Sequence, residues 1–140
     1  KFHDLLQEIC ENTKVNNKKI DLKINKKIKS SGRPLQLRRS FINLIENAVR
    51  YSNKIIVELN LDNKNIIVNI SDNGPGIPQN KYDDVFKPFF TLDPSRNKLK
   101  GESGLGLTIA RDIIRSHGGD ISFSKSRKLG GLKVTVILPV

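Results

Sequence analysis

The chain has a single cysteine, Cys10, so no internal disulfide can staple it, and a lone thiol fits a reducing compartment. It has no apolar run approaching the length of about 18 residues that a membrane-spanning helix needs. No charged-then-apolar leader with a small-residue cleavage site opens it, which argues against a secretory signal. The opening "KFHDLLQEIC" reads instead as the interior of a longer protein. Acidic residues are scarce, 14 against 25 Lys and Arg, leaving a net charge of +11. Such an excess can serve nucleic acid, an acidic membrane surface or phosphate ligands. Here the lysines are spread along the whole chain among Asn and Ile, so the charge is read as a bias of composition and not as a nucleic-acid patch. There is no internal repeat, no Ser-His-Asp set, no cysteine cluster and no metal-binding pair of histidines.

What is present is enough for one globular domain covering residues 1–140, with 36% apolar and 28% charged residues. Leu5, Leu6, Ile9 and Cys10 recur at helical spacing, predicting a helix over residues 3–13. "IDLKI" (Ile20 to Ile24) alternates like a half-buried strand. "SSGRP" is a turn, with Pro34 suited to open a helix that runs to about Tyr51. "KIIVELNL" and "NIIVNISD" predict a hairpin turning at Asp62-Asn63-Lys64. Residues 74–103 have little sustained period and read as a long loop, of the kind that is usually a functional lid or disordered, with one short helix near Tyr82–Phe86. A helix returns from Leu105 to His117 and ends at Gly118-Gly119. "DISFSKS" and "LKVTVILP" close the chain as a second hairpin around Gly130-Gly131. Alternating strands between helices predict an α/β two-layer sandwich, a mixed five-stranded sheet with three main helices on one face.

The second helix carries an unusual stripe. At about 100° per residue, Asn43, Asn47 and Arg50 fall within about 60° of one another, with Glu46 and Tyr51 flanking them. Phe41, Leu44, Ile45, Ala48 and Val49 fill the other side. Asn is a poor helix former, because its side chain competes for backbone hydrogen bonds. The stripe is therefore either a solvated face or a line aimed at a ligand. An amide oxygen is an acceptable Mg²⁺ ligand, and an arginine beside it could meet a phosphate. "SDNGPGIP" follows an alternating strand. Its Asp72 can accept from an exocyclic amine, and Gly74 and Gly76 permit positive φ or close backbone approach. Alone, Asp-x-Gly-x-Gly is also ordinary turn chemistry. In "GESGLGLTIARDII", Gly101, Gly104 and Gly106 precede a strong helix, whose N-terminal N–H groups can bind phosphate oxygens. No Gly-Lys-Ser/Thr follows, so it is no Walker loop. Its glycines do not join a strand to its crossover helix, so it is no dinucleotide fingerprint.

Taken in order, an Asn helix, Asp-x-Gly-x-Gly, "VFKPFF" and Gly-x-Gly before a helix resemble the N, G1, F and G2 boxes of the histidine-kinase catalytic domain. That domain belongs to the GHKL superfamily, with its Bergerat ATP-binding fold and long ATP lid. The resemblance covers the chain from about residue 5 to the terminal "LPV". "RPLQLRRSFINLIENAVRY" and "GGLKVTVILPV" look like EnvZ-type osmosensor kinases. The resemblance implies ATP and Mg²⁺ as ligands. Asn47 would ligate the metal, Asn43 would support the phosphate end, and Arg50 would meet a phosphate. Tyr51 would pack on the adenine or ribose, and Asp72 would read the adenine amine. Gly74, Gly76 and Ile77 would shape the base pocket. Phe86, Phe89 and Phe90 would anchor the lid, from which Arg96 could reach the phosphates. Gly104, Leu105, Gly106 and Leu107 would supply the phosphate-side backbone. Two departures stand out: Gly101 is followed by Glu102 where a second glycine is usual, and Glu46 has no assigned role.

The resemblance also implies a reaction. The γ-phosphoryl group of ATP would pass to a histidine on a separate dimerisation domain of the same protein, and a response regulator would act downstream. Such a domain is the cytoplasmic part of a bacterial inner-membrane protein, attached through an N-terminal part that this sequence lacks. His3, though followed by an acid, lacks the arginine and Thr-Pro of a phosphoacceptor box and is read as incidental. His117 is read as a helix C-terminal residue that favours the dipole. Two alternatives share the fold: an ATP-hydrolysing clamp of the gyrase, MutL or chaperone type, and a nucleotide-binding module without catalysis. Clamp relatives place a glutamate one turn before the metal Asn, where this chain has Asn43.

Overall fold

The structure is a computed structural model that describes residues 2–12, 19–24, 34–87 and 106–139. Its elements run α1 (Phe2–Asn12), β1 (Lys19–Ile24), α2 (Pro34–Tyr51), β2 (Lys54–Asp62), β3 (Asn65–Asp72), α3 (Gly106–Ser116), β4 (Asp120–Lys125) and β5 (Leu132–Pro139). The five strands form one sheet in the order β1-β2-β3-β5-β4. Only β1 and β2 pair in parallel; the other pairs are antiparallel, so the sheet is mixed as expected. The helix α2 is the crossover that a parallel β1–β2 pair requires.

Register explains the single buried face. Leu22 lies opposite Val57, Val57 opposite Ile70, Ile70 opposite Val134, and Val134 opposite Phe123. With Ile20, Ile55, Leu59, Ile66, Val68, Ile121, Val136 and Leu138 they pack into one core with residues of the three described α-helices. Because side chains alternate along a strand, the polar positions fall on the opposite face. There Asn69 meets Thr135 at 2.8 Å, and Lys128 reaches both oxygens of Glu58 at 2.9 Å. Leu37, Phe41, Leu44, Ile45, Ala48 and Val49 form the buried side of α2, and Phe2 sets its ring edge-on to Phe41 at 5.4 Å.

The turns refine the expectations. Asp62 pairs with Asn65, so the first hairpin turns on two residues, Asn63 and Lys64, and Asn63 takes φ 55°. Asn tolerates that left-handed conformation better than most residues. Tyr82–Phe86 is not one helix. One 3₁₀ turn, Gln79–Lys81, precedes it and a second, Asp84–Phe86, forms its last three residues, closed by bonds from Lys81 N to Pro78 O and from Lys87 N to Asp84 O. The described part of the last helix starts at Gly106. It ends with Gly119 N donating to Ile114 O and Gly118 N to Arg115 O, and Nδ1 of His117 lies 2.9 Å from the Ile113 carbonyl.

Candidate nucleotide-binding site

The polar stripe of α2 lies at the boundary of the core. Asn43, Asn47 and Arg50 are half-buried, while Glu46 is exposed. The stripe is fastened at one end. Nδ2 of Asn43 donates to the carbonyl of Gly106 at 3.3 Å, bringing the start of α3 against the Asn helix. One turn earlier, the fully buried Ser40 donates its hydroxyl to Ala110 O at 3.1 Å. A serine inside a helix usually bonds back to its own preceding turn. Ser40 bonds across to α3 instead, a contact that the sequence does not reveal because 70 residues separate the partners. Leu107, the next residue of α3, packs against the core.

At the other end, Asp72 terminates β3. It is 6% exposed. Its Oδ1 accepts from Gly74 N at 3.0 Å and Leu132 N at 3.1 Å, and its backbone carbonyl accepts from Gly131 N at 3.0 Å. Burial pushes the carboxyl above its ordinary value of 3.8, and the Leu132 and Gly74 donors pull it part of the way back. Oδ2 has no hydrogen-bond partner among the described residues. Nor is it sealed in: the one fully enclosed, unpartnered side-chain polar atom there is Nδ1 of His3. Oδ2 of Asp72 is therefore not fully enclosed and is left as an acceptor.

The turn after Asp72 is pressed against the end of α2. A Cβ on Gly74 would lie 2.6 Å from the Tyr51 carbonyl, closer than any side chain can approach, so only glycine fits. Asn73 adds a clamp that the sequence reading missed. Its Oδ1 accepts from the backbone of Asn53 and Lys54, both at 3.1 Å, and its Nδ2 donates to Asn53 Oδ1 at 2.7 Å. The adjacent Asp-Asn-Gly turn was the available signal. Gly76 takes φ +74°, and Ile77 packs against the core.

Phe86 is buried and stacked on Phe123, with centroids 4.8 Å apart and planes within 5°. The Arg111 guanidinium sits over its ring, 4.2 Å from the centroid. The Thr108 hydroxyl donates to the Phe86 carbonyl. Thr108 and Arg111, both on α3, went unread in the sequence because helical period alone does not say what a helix touches. Phe89, Phe90, Arg96, Gly101, Glu102, Gly104 and Leu105 lie outside the described residues.

Among the described residues no three His, Cys, Asp or Glu side chains group as a metal cage. That is compatible with Mg²⁺, which takes one or two protein oxygens and completes its shell with water and phosphate. Asn47 could supply such an oxygen.

Residues 32–140 match the family model described as histidine kinase-, DNA gyrase B-, and HSP90-like ATPase. The chain belongs to that family. It is 38% identical over 109 residues to the sensor histidine kinase GtrS of Pseudomonas aeruginosa, covering 77% of this chain and 22% of that protein. It is 36% identical over 110 residues to the sensor histidine kinase CpxA of Escherichia coli, covering 78% and 24%. In structure it is similar to the mycobacterial sensor histidine kinase MprB, with a TM-score of 0.80, 24% identity, and coverage of 96% of this chain and 93% of that one. The chain thus spans about a quarter of the length of the curated relatives it matches. This ATPase-family domain corresponds to the catalytic, ATP-binding part of sensor histidine kinases. Its fold is the Bergerat-type α/β fold.

Proposed function

We propose that this domain binds ATP with Mg²⁺ along α2 and passes the γ-phosphoryl group to a histidine on a separate dimerisation domain of the same protein. The observation that carries the reading is the fastening of the polar stripe of α2 at both of its ends. Asn43 is tied to the start of α3, and Tyr51 is pressed against the turn that follows Asp72. Eight residues at about 1.5 Å each put roughly 12 Å between those ends. One end then takes the base and the other the polyphosphate.

In this reading Oδ2 of Asp72 accepts from the adenine amine. Gly74, Gly76 and Ile77 line the base, and Tyr51 packs on the base or ribose. Arg50 meets a phosphate, and Asn47 offers its amide oxygen to the metal. Phe86 packs beside the start of α3, where Gly106 and Leu107 present backbone to the phosphates. When bound, the metal neutralises charge on the phosphate oxygens, which is most of what phosphoryl transfer asks of a protein. Asn43 positions and does not abstract a proton, since an amide is not basic near neutral pH. That favours the kinase over the hydrolysing clamp.

The chain's two histidines support an external acceptor. His3 is buried in α1. His117 lies beyond the far end of α3, about 16 Å by helical rise from Gly106. The EnvZ-type kinship is supported by "RPLQLRRSFINLIENAVRY" and "GGLKVTVILPV", whereas the relatives named above bear other names. A response regulator downstream and attachment to the inner membrane of a bacterium through further N-terminal sequence follow from the same kinship. Titration calorimetry tests the site: ATP with Mg²⁺ is expected to bind at micromolar-to-millimolar strength, roughly −4 to −8 kcal/mol. The variant Asn47→Ala is expected to lose the Mg²⁺-dependent part. Wild-type chain that takes up no ATP analogue would sink the proposal.

A further inference from the structure

Asp72 is held by a piece of chain that lies outside all four sequence boxes. The β4–β5 hairpin brings Gly131 N onto the Asp72 carbonyl at 3.0 Å and Leu132 N onto Oδ1 at 3.1 Å. The fit leaves no slack. A Cβ on Gly131 would lie 2.4 Å from Oδ1 of Asp72, 2.5 Å from its carbonyl oxygen and 2.7 Å from Gly74 N. Two of these atoms are backbone and the third is a carboxylate held by two donors, so none can swing aside cheaply. The hairpin tip is itself fastened. Ser126, 1% exposed, donates its N–H to Gly131 O at 2.7 Å and accepts at its carbonyl from Gly130 N at 2.9 Å. Its hydroxyl accepts from Leu129 N at 3.1 Å. Lys128 ties the tip to Glu58 on β2.

We propose that this hairpin tip sets base selectivity: Gly131 and the Leu132 amide hold Asp72 so that one carboxylate oxygen is committed to backbone and the other faces the base. Gly131 acts through Asp72 and is a positioning residue. The inference rests on the adenine-reading role proposed for Asp72. With Oδ1 saturated by two N–H groups, only Oδ2 can accept from an exocyclic amine. The same two donors favour the ionised, accepting form against the burial that opposes it. A methyl group at residue 131 breaks the Leu132 bond, leaves Oδ1 to compete for other donors, and removes the fixed aim of Oδ2.

The test compares binding of ADP and GDP, each with Mg²⁺, to wild type, Gly131→Ala and Gly130→Ala, alongside thermal unfolding. Gly130 has φ +86°, and a Cβ added there would meet no atom within 4 Å, so its substitution strains the same hairpin without touching Asp72. Wild type is expected to prefer ADP. Gly130→Ala should unfold at lower temperature yet keep that preference, whereas Gly131→Ala should lose about tenfold or more of it. A folded Gly131→Ala with wild-type preference overturns the inference alone. A wild type that binds GDP as well as ADP overturns the Asp72 reading and the inference with it. Should Gly131→Ala not fold, the wild type still decides. The Leu132 and Gly74 amide resonances should follow one titration that disappears in Asp72→Asn, and ADP but not inosine diphosphate should move it to lower pH. A Leu132 amide blind to Asp72 ionisation overturns the inference.

Discussion

Asp72 combines burial with a charge, and the two pull in opposite directions. Its folded-state pKa lies above the ordinary carboxylate value of 3.8, chiefly because burial penalises the ionised form. The folded state therefore binds the proton more tightly than the unfolded chain. Stability from this group is full below the unfolded value and is lost as pH rises through the folded one. At neutral pH the carboxylate thus weighs against folding. Asp72→Asn keeps an oxygen for the Gly74 and Leu132 donors and removes the buried charge. The variant is expected to be at least as stable as wild type at pH 7, with the advantage fading as pH falls toward 3.8. It should also lose adenine preference, since an amide nitrogen cannot accept from an amine. Unfolding curves across pH, paired with ATP and GTP titrations, check both halves. A variant that is much less stable at pH 7 and still prefers ATP would refute the assignment.

Between elements, the decisive contact is α2 against α3. Ser40 and Asn43 make its polar ties, to Ala110 and Gly106. Ser40→Ala leaves the Ala110 carbonyl without its hydroxyl donor, and should cost about 1–2 kcal/mol in denaturant unfolding. It should also loosen the placement of Gly106, so nucleotide affinity should fall with stability. A change in neither would mean that α3 is placed by its apolar contacts alone. These ties mark where the sequence stopped being legible. Strand alternation, the apolar side of α2 and the two hairpins follow local periods, and Asn43, Asp72 and Gly106 could be named from motif order. Ser40, Thr108 and Arg111 act across tens of residues, and no local pattern encodes which distant carbonyl or ring a side chain will meet. Gly131 looked like turn chemistry, yet its role is to leave room for Asp72. The pair of 3₁₀ turns replaced one expected helix because apolar spacing over so few residues does not separate the two.

At the scale of the whole molecule, one sheet face carries the core, and its helices carry the residues proposed for the site. His3 is buried, and His117 bonds to the end of α3 through the Ile113 carbonyl. On the proposed function, such a domain takes nucleotide and relies on an acceptor histidine elsewhere in the protein. Without a basic group at residue 43, it should bind ATP yet hydrolyse it slowly, since general-base assistance typically contributes about 10² to 10⁴ in rate. The most direct measurement follows label from γ-labelled ATP with Mg²⁺, using the chain alone and the chain mixed with a separately made phosphoacceptor domain of the same protein. The account predicts little phosphate release by the chain alone and acid-labile label on the acceptor histidine when both are present. Rapid phosphate release by the chain alone, with no label reaching the acceptor, would contradict it and place the domain with the hydrolysing clamps.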